Sequence, residues 1–126
     1  MINYEELDPK VRRLVRVLNK NGIHTISSCE GHITPDFSEA WNLPYIDFEP
    51  LEEQKLKILL HSCACDRFPL NLCWIVQVRL SDKGCILYTL TLATQMLPGN
   101  MLSKAHEDLE MIAESLDYHF KHGICL

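Results

Sequence analysis

Hydrophobic positions near the N-terminus recur at the spacing of an amphipathic helix. Four apolar residues would share one face of that helix: Val11, Leu14, Val15 and Leu18. Asp8 followed by Pro9 is typical of a helix start, and Gly22 is typical of a stop. The spacing therefore predicts a first helix that buries one face.

Two short stretches follow that have the character of strands. Residues 23–28 alternate between two faces, and residues 45–48 are apolar apart from one aspartate. Residues 33–43 lie between them, show no period and predict a long loop. We expect Glu49-Pro50 to open a second helix, whose apolar face would consist of Leu56, Leu59, Leu60 and Cys63.

The clearest hairpin signal lies in the second half of the chain. Apolar side chains alternate along residues 74–80 and again along residues 86–92, and residues 81–84 have the composition of a turn. A last helix would run from Leu102 to near Gly123. Its outer face is predicted to be acidic, through Glu107, Asp108, Glu110, Glu114 and Asp117.

The element order α-β-β-α-β-β-α predicts an α+β fold, in which helices cover a four-stranded sheet. A length of 126 residues and ordinary shares of hydrophobic and charged residues predict a single domain over 1–126. No apolar run reaches the roughly 20 residues of a membrane-spanning helix, so no membrane partner is expected. The acidic first residues lack the apolar stretch of a secretory signal, which predicts a cytoplasmic protein with reduced cysteines.

The charge pattern favours some partners over others. A formal net charge of −5 disfavours nucleic acid as a partner, because affinity for phosphates comes mainly from Lys and Arg. Basic residues nevertheless line the outer face of the first helix: Lys10, Arg12, Arg13, Arg16 and Lys20. Opposite charge on the first and last helices makes a homo-oligomer plausible, and with it a non-catalytic interaction module.

Chemistry-bearing side chains are concentrated in residues 25–32. Two hydroxyls, a thiol, a carboxylate and an imidazole surround one glycine, and Gly31 allows a backbone turn with positive φ. We therefore predict a small-ligand, nucleotide-like site with possible enzymatic activity. Its residues would be Ser28, Cys29, Glu30, Gly31, His32 and Trp41. Trp41 and Phe37 would form an aromatic wall over the turn or, alternatively, close the core beneath the loop.

The sequence Ser27-Ser28-Cys29-Glu30-Gly31-His32 resembles the Ser-Ser-Cys-Ser-Gly-Arg signature of the wybutosine-synthesis methyltransferase family of tRNA modification. It is also similar to the Ser-Cys-x-Gly-His loop of small bacterial proteins with no assigned reaction. The first resemblance covers roughly a third of the chain and implies chemistry that depends on S-adenosylmethionine at Ser28, Cys29 and Gly31. His32 stands where that family has arginine, so a bidentate contact to an anion is not carried over.

Metal binding is a second hypothesis for the same turn. Cys29-x-x-His32 has a spacing that a turn can wrap around zinc, and His61 and Cys65 face one side of the second helix at i, i+4. The zinc ligands would be Cys29, His32, His61 and Cys65.

Two further interpretations of Cys29 are open at the level of sequence. Cys29 could act as a nucleophile, with His32 or His24 as base and Glu30 orienting that base. Alternatively, the turn is a purely structural corner in which the thiol is buried. His106 lies on the apolar stripe of the last helix and is predicted to be a hydrogen-bonded core histidine.

Overall fold

A computed structural model of the chain describes residues 3–33 and 40–124, without the side chains of residues 33 and 40–42. Its helices are α1 (Pro9–Lys20), α2 (Glu53–Ser62) and α3 (Leu102–His122). Its strands are β1 (Thr25–Cys29), β2 (His32–Ile33), β3 (Ala40–Asn42), β4 (Tyr45–Phe48), β5 (Trp74–Leu80) and β6 (Ile86–Leu92). Single 3-10 turns precede α1 at Tyr4–Glu6 and α3 at Gly99–Met101.

The main sheet is antiparallel, with the strand order β1-β4-β6-β5. In its centre Leu90 of β6 lies opposite both Ile46 of β4 and Val76 of β5. Because directly opposed residues point to the same face, these three side chains form one apolar face of the sheet. The predicted α+β fold, a four-stranded sheet covered by helices, is confirmed.

All three helices pack on that apolar face. The core cluster combines Leu14 of α1, Leu59 of α2 and Leu116 of α3 with Phe48 and Leu90 of the sheet, and none of these five is more than 1% exposed. Among the described residues, none of the helices combines the length and the apolar composition that crossing a bilayer requires.

The predicted loop over residues 33–43 begins and ends in short strands. β2 and β3 pair antiparallel, with His32 opposite Asn42, and form a separate two-stranded sheet. Periodicity could not predict them, because strands of two and three residues are too short to show an alternation. Phe37, predicted to form part of the aromatic wall, lies outside the described residues.

Two predicted apolar faces are only partly buried. In α2 the buried positions are Ile58, Leu59 and Ser62, whereas Leu60 is 45% exposed, so its assignment to the buried stripe is wrong. At the β5–β6 hairpin the apolar alternation continues into solvent, and Val78, Leu80 and Ile86 are all more than half exposed. The pattern predicts on which face of a strand or helix a residue lies. Which residues of that face are buried depends on how far the packed elements cover it.

Asp108 is not on the outer face of α3, as the sequence pattern predicted. It is 1% exposed, and its carboxylate accepts hydrogen bonds from the backbone N–H groups of Asn71 and Leu72 and from Nε1–H of Trp74, at 2.7 to 2.9 Å. Three donors compensate for the loss of water around a buried charge. Asp108 thus fixes the segment that leads into β5 against α3.

The basic face of α1 and the acidic face of α3 meet within the same chain. Arg13 pairs with Glu110 at 3.2 Å and with Glu114 at 3.5 Å, and Lys20 pairs with Asp117 at 3.3 Å. The opposite charges that suggested self-association therefore neutralise each other between neighbouring helices. They give no support to a homo-oligomer.

Candidate metal-binding sites

The turn after β1 is built around a glycine and a sulfur atom. Gly31 has φ of +86°, a left-handed conformation that disfavours residues with a Cβ. Its N–H donates to Sγ of Cys29 at 3.4 Å, and Cys29 itself is only 6% exposed. An amide N–H directed at sulfur favours the thiolate form, which is the form that binds a metal. The backbone of the turn thus supports a sulfur ligand.

The start of α1 holds this turn through a reciprocal pair of hydrogen bonds. The backbone N–H of Glu30 donates to Oδ2 of Asp8 at 3.0 Å, and the backbone N–H of Lys10 donates to Oε2 of Glu30 at 3.0 Å. The Glu30 carboxylate therefore occupies the N-terminus of α1, where a negative charge is favourable. Glu30, a predicted ligand-binding residue, orients the turn by this contact.

A third contact comes from α3. Nε2 of His106 lies 2.8 Å from the carbonyl oxygen of Glu30. A carbonyl only accepts hydrogen bonds, so Nε2 carries the proton and donates. The predicted hydrogen bond of His106 is confirmed, although the residue is only partly buried and does not belong to the core. Two helices together determine the position of the turn.

This arrangement brings Asp8, Cys29 and His32 together. One ligand atom from each of the three residues lies within 4.8 Å of the other two. Around a tetrahedral zinc ion, nitrogen, oxygen and sulfur ligands are about 3.3–3.6 Å apart. A mutual separation of at most 4.8 Å is therefore close to the spacing that a zinc ion requires. The turn predicted from Cys29-x-x-His32 thus gains a third candidate ligand, Asp8, from the start of α1.

The negative charge around Cys29 disfavours its thiolate form. Burial raises the pKa of the Cys29 thiol, the N–H of Gly31 opposes that shift, and the carboxylates of Asp8 and Glu30 raise the pKa further. Nucleophilic cysteines need the opposite, a pKa lowered by a positive neighbour. The environment is consequently unfavourable for the proposed nucleophile, whereas a bound cation would stabilise thiolate and carboxylate together.

The other predicted ligand-binding residues lie on two strands that belong to different sheets. Ser28 lies in β1 opposite Ile46, and Trp41 lies in β3, next to the pair of His32 with Asn42. The side chain of Trp41, predicted as an aromatic wall, lies outside the part of the chain that the structure describes.

The neighbouring hydroxyl of Ser27 belongs to a different network. It donates to Oδ2 of Asp47 at 2.8 Å, and the hydroxyl of Thr89 donates to Oδ1 of Asp47 at 2.5 Å. Asp47 is 8% exposed, and its hydrogen bonds join three adjacent strands of the sheet. Ser27 thus connects β1 to β4.

His61 and Cys65, the other two predicted zinc ligands, form a separate group with His119. Each of these residues also has one ligand atom within 4.8 Å of the other two. The separation follows from α3, because His106 contacts the turn at Glu30 and His119 lies thirteen residues further along the same helix. At 1.5 Å per residue this is about 20 Å. The structure therefore divides the four predicted ligands between two places.

His119 in this second group is buried, and its surroundings favour the neutral ring. It is 4% exposed, and burial, followed by the nearby His61 and Arg67, lowers the pKa of its imidazole. A neutral imidazole is the form that can bind a metal.

Sequence reasoning missed Asp8 and His119. Asp8 was interpreted only as the residue before a helix, yet its side chain makes no capping hydrogen bond within α1 and binds the turn instead. His119 lies near the end of α3, far in sequence from both His61 and Cys65. The position of His119 on the buried face of α3 could have indicated that it has a partner. Its proximity to α2, however, depends on helix packing, which the sequence does not show.

Comparisons with protein-family models, curated proteins and solved structures give no significant match for this chain. The resemblance of the turn to the wybutosine-synthesis methyltransferases therefore stays a prediction.

Proposed function

We propose that this chain is a zinc-binding domain, with the ion held by Asp8, Cys29 and His32 and with an open coordination position for a small, nucleotide-like ligand. The observation that carries the proposal is the convergence of a carboxylate, a thiol and an imidazole within 4.8 Å of one another. These three groups come from the start of α1, the end of β1 and the start of β2.

The types of donor favour zinc. Thiolate with imidazole suits zinc, whereas magnesium and calcium prefer oxygen ligands throughout. Three protein ligands leave a fourth position for water or for an oxygen atom of a ligand, as in catalytic zinc sites. Zinc at such a position lowers the pKa of bound water and polarises carbonyl or phosphoryl oxygens.

The surroundings of the three side chains support a metal site. Asp8 also accepts the Glu30 N–H, Cys29 also accepts the Gly31 N–H, and His106 holds the carbonyl of the same turn. Contacts of this kind orient metal ligands and raise metal affinity. They join the turn to the start of α1 and to α3, so the arrangement does not depend on the turn alone.

The nucleotide-like ligand is inferred from two features. An open position on zinc accepts a phosphate oxygen, and the pairing of His32 with Asn42 brings the backbone of Trp41 next to the site. Tryptophan is a residue type on which a base can stack.

A structural zinc corner is the second candidate function. The burial of Cys29 and the anchoring of the turn by both α1 and α3 favour it. In that case a fourth ligand from the chain would close the coordination sphere, and no small molecule would reach the ion.

Cobalt substitution tests both candidates. In a Cys65→Ser background, which disables the second group, Co²⁺ should give a sulfur-to-cobalt charge-transfer band. That band should be lost in Cys29→Ser, and His32→Gln should weaken cobalt binding. Cys73→Ser removes an exposed thiol and serves as the matched control. Absence of the band in the Cys65→Ser protein would contradict the metal site.

Ligand access is the second measurement on the same cobalt protein. Inorganic phosphate and a panel of nucleoside phosphates should change the visible cobalt spectrum if a position is open. A spectrum that no added ligand alters would support the closed, structural corner and overturn the ligand-binding proposal.

A further inference from the structure

The second group of ligands lies where the end of α2 meets the C-terminal part of α3. His61 lies in the last turn of α2, Cys65 follows the helix end, and His119 faces them from α3. The rings of His61 and His119 meet edge to face, with their centroids 4.7 Å apart. Two imidazoles and a thiol are a donor set typical of zinc.

His119 is held in one orientation by two buried hydroxyl groups. Nδ1 of His119 lies 3.2 Å from Oγ of Ser62 and 3.2 Å from Oγ of Ser115, and both serines are fully buried. This leaves Nε2 as the nitrogen for a metal. Hydrogen bonds to the non-ligating nitrogen are the usual way in which a protein orients a metal-binding histidine.

The three side chains line a surface cavity of about 440 Å³, together with Arg67, Tyr118 and His122. The guanidinium group of Arg67 lies 4.3 Å from the centre of the Tyr118 ring and donates to its hydroxyl at 2.6 Å. The positively charged guanidinium group of Arg67 is therefore held at a defined place on the cavity wall. A metal bound by His61, Cys65 and His119 would lie on another part of that wall.

We propose that His61, Cys65 and His119 form a second zinc site, whose open position faces this cavity and binds an anion with the help of Arg67. The anion would have the chemistry of a phosphate or a carboxylate, which the planar guanidinium group recognises with paired hydrogen bonds. The site is independent of the one at Asp8, Cys29 and His32, because the two share no ligand.

Zinc titration of a Cys29→Ser/His32→Gln chain tests the metal site, since that chain lacks the first group. We expect one equivalent of zinc by calorimetry. Affinity should fall by more than about 100-fold in His61→Gln or Cys65→Ser, because each removes a direct ligand. His24→Gln and Cys73→Ser change an exposed histidine and an exposed thiol outside the group and should leave affinity unchanged.

Loss of fold has to be separated from loss of a ligand. His119→Gln removes a buried side chain, so circular dichroism is measured for every variant. The test therefore rests on the variants of His61 and Cys65. Both residues are half-buried, so their substitution leaves the core in place. Failure of the Cys29→Ser/His32→Gln chain to bind zinc, or binding that survives both His61→Gln and Cys65→Ser, would overturn the proposal.

The anion is tested with inorganic phosphate on the cobalt-loaded Cys29→Ser/His32→Gln chain. Phosphate should change the visible cobalt spectrum, and Arg67→Gln should raise the phosphate concentration needed by about tenfold without weakening cobalt binding. A spectrum unaffected by phosphate, or an unchanged response in Arg67→Gln, would overturn the role of the cavity as an anion site.

Discussion

Asp8 accepts a hydrogen bond from the backbone of Glu30, although the two residues are 22 positions apart in the chain. The carboxylate therefore has two tasks if it also binds a metal: one contact fixes the turn and the other holds the ion. Lys10 returns a backbone hydrogen bond to the Glu30 carboxylate. The position of the turn and the metal affinity are thus expected to depend on the same few contacts.

Substitution of Asp8 separates these two tasks. Asn at this position retains an oxygen that can accept the Glu30 N–H but lacks the negative charge that zinc prefers. Asp8→Asn should therefore lower zinc affinity by about 100-fold or more, measured by competition with a chelator in the Cys65→Ser background. The melting temperature without metal should change little in Asp8→Asn and fall in Asp8→Ala. Equal zinc affinity in Asp8→Asn and the parent would argue against Asp8 as a ligand.

Glu30 is expected to act by positioning the turn. Glu30→Ala removes the bond to the Lys10 N–H and should lower zinc affinity at the first site by about 10-fold to 100-fold, the usual effect of losing a contact that orients ligands. Glu30→Gln keeps an acceptor and should recover most of that loss. Glu49→Ala, which removes an exposed carboxylate outside the turn, is the control. If Glu30→Gln bound zinc as weakly as Glu30→Ala, the negative charge of Glu30, rather than its positioning of the turn, would be the cause of the lost affinity.

Asp108 should be a major determinant of stability. The side-chain amide introduced by Asp108→Asn would present N–H groups to a site that already holds three donors, leaving at least one buried donor unpaired. We expect a loss of about 3 kcal/mol in the free energy of unfolding, measured by urea denaturation. Glu114→Gln on the exposed face of α3 should change it by less than about 0.5 kcal/mol. A comparably small change in Asp108→Asn would contradict the buried hydrogen-bond network.

Thiol alkylation should follow exposure and pKa. Cys73 and Cys85 are exposed and should be modified first at pH 8. Burial raises the pKa of Cys63 to about 12, so very little of its thiol is ionised at pH 8, and Cys63 should react slowly. Raising the pH should speed its reaction. Mass mapping against time checks the order, and early modification of Cys63 would contradict its raised pKa.

Zinc should change the alkylation of Cys65 in the same experiment. Coordination blocks the sulfur, so added zinc is expected to protect Cys65 and leave Cys73 and Cys85 unaffected. Equal rates for Cys65 with and without zinc would count against the second site.

The sequence predicts the secondary structure well because most elements have strong patterns. Helix α1 has a start signal and a clear apolar face, and strands β5 and β6 alternate over seven residues each. The short strands β2 and β3 have no such pattern. Burial along β5 could not be predicted either, because the alternation is the same at buried Trp74 and at exposed Leu80.

The two candidate ligand groups were predictable only in part, because their members converge through tertiary packing. Cys29 and His32 are close in sequence, as are His61 and Cys65, so the spacing identifies each pair. The third member of each group comes from a distant segment, and no local pattern connects them. The sequence joins the two pairs into one predicted site, whereas the structure places them in two separate groups of candidate ligands.

The charged faces of α1 and α3 allow a last test. Because Arg13 bridges to Glu110 and Glu114 within one chain, Arg13→Glu should lower the free energy of unfolding by about 0.5–1 kcal/mol, a modest effect since these side chains are about half exposed. Adding Glu110→Arg should recover part of that loss. The molar mass in sedimentation equilibrium should be the same for the parent and Arg13→Glu, because the charges are satisfied inside the chain. A parent oligomer that Arg13→Glu dissociates would instead show that these charges act between copies.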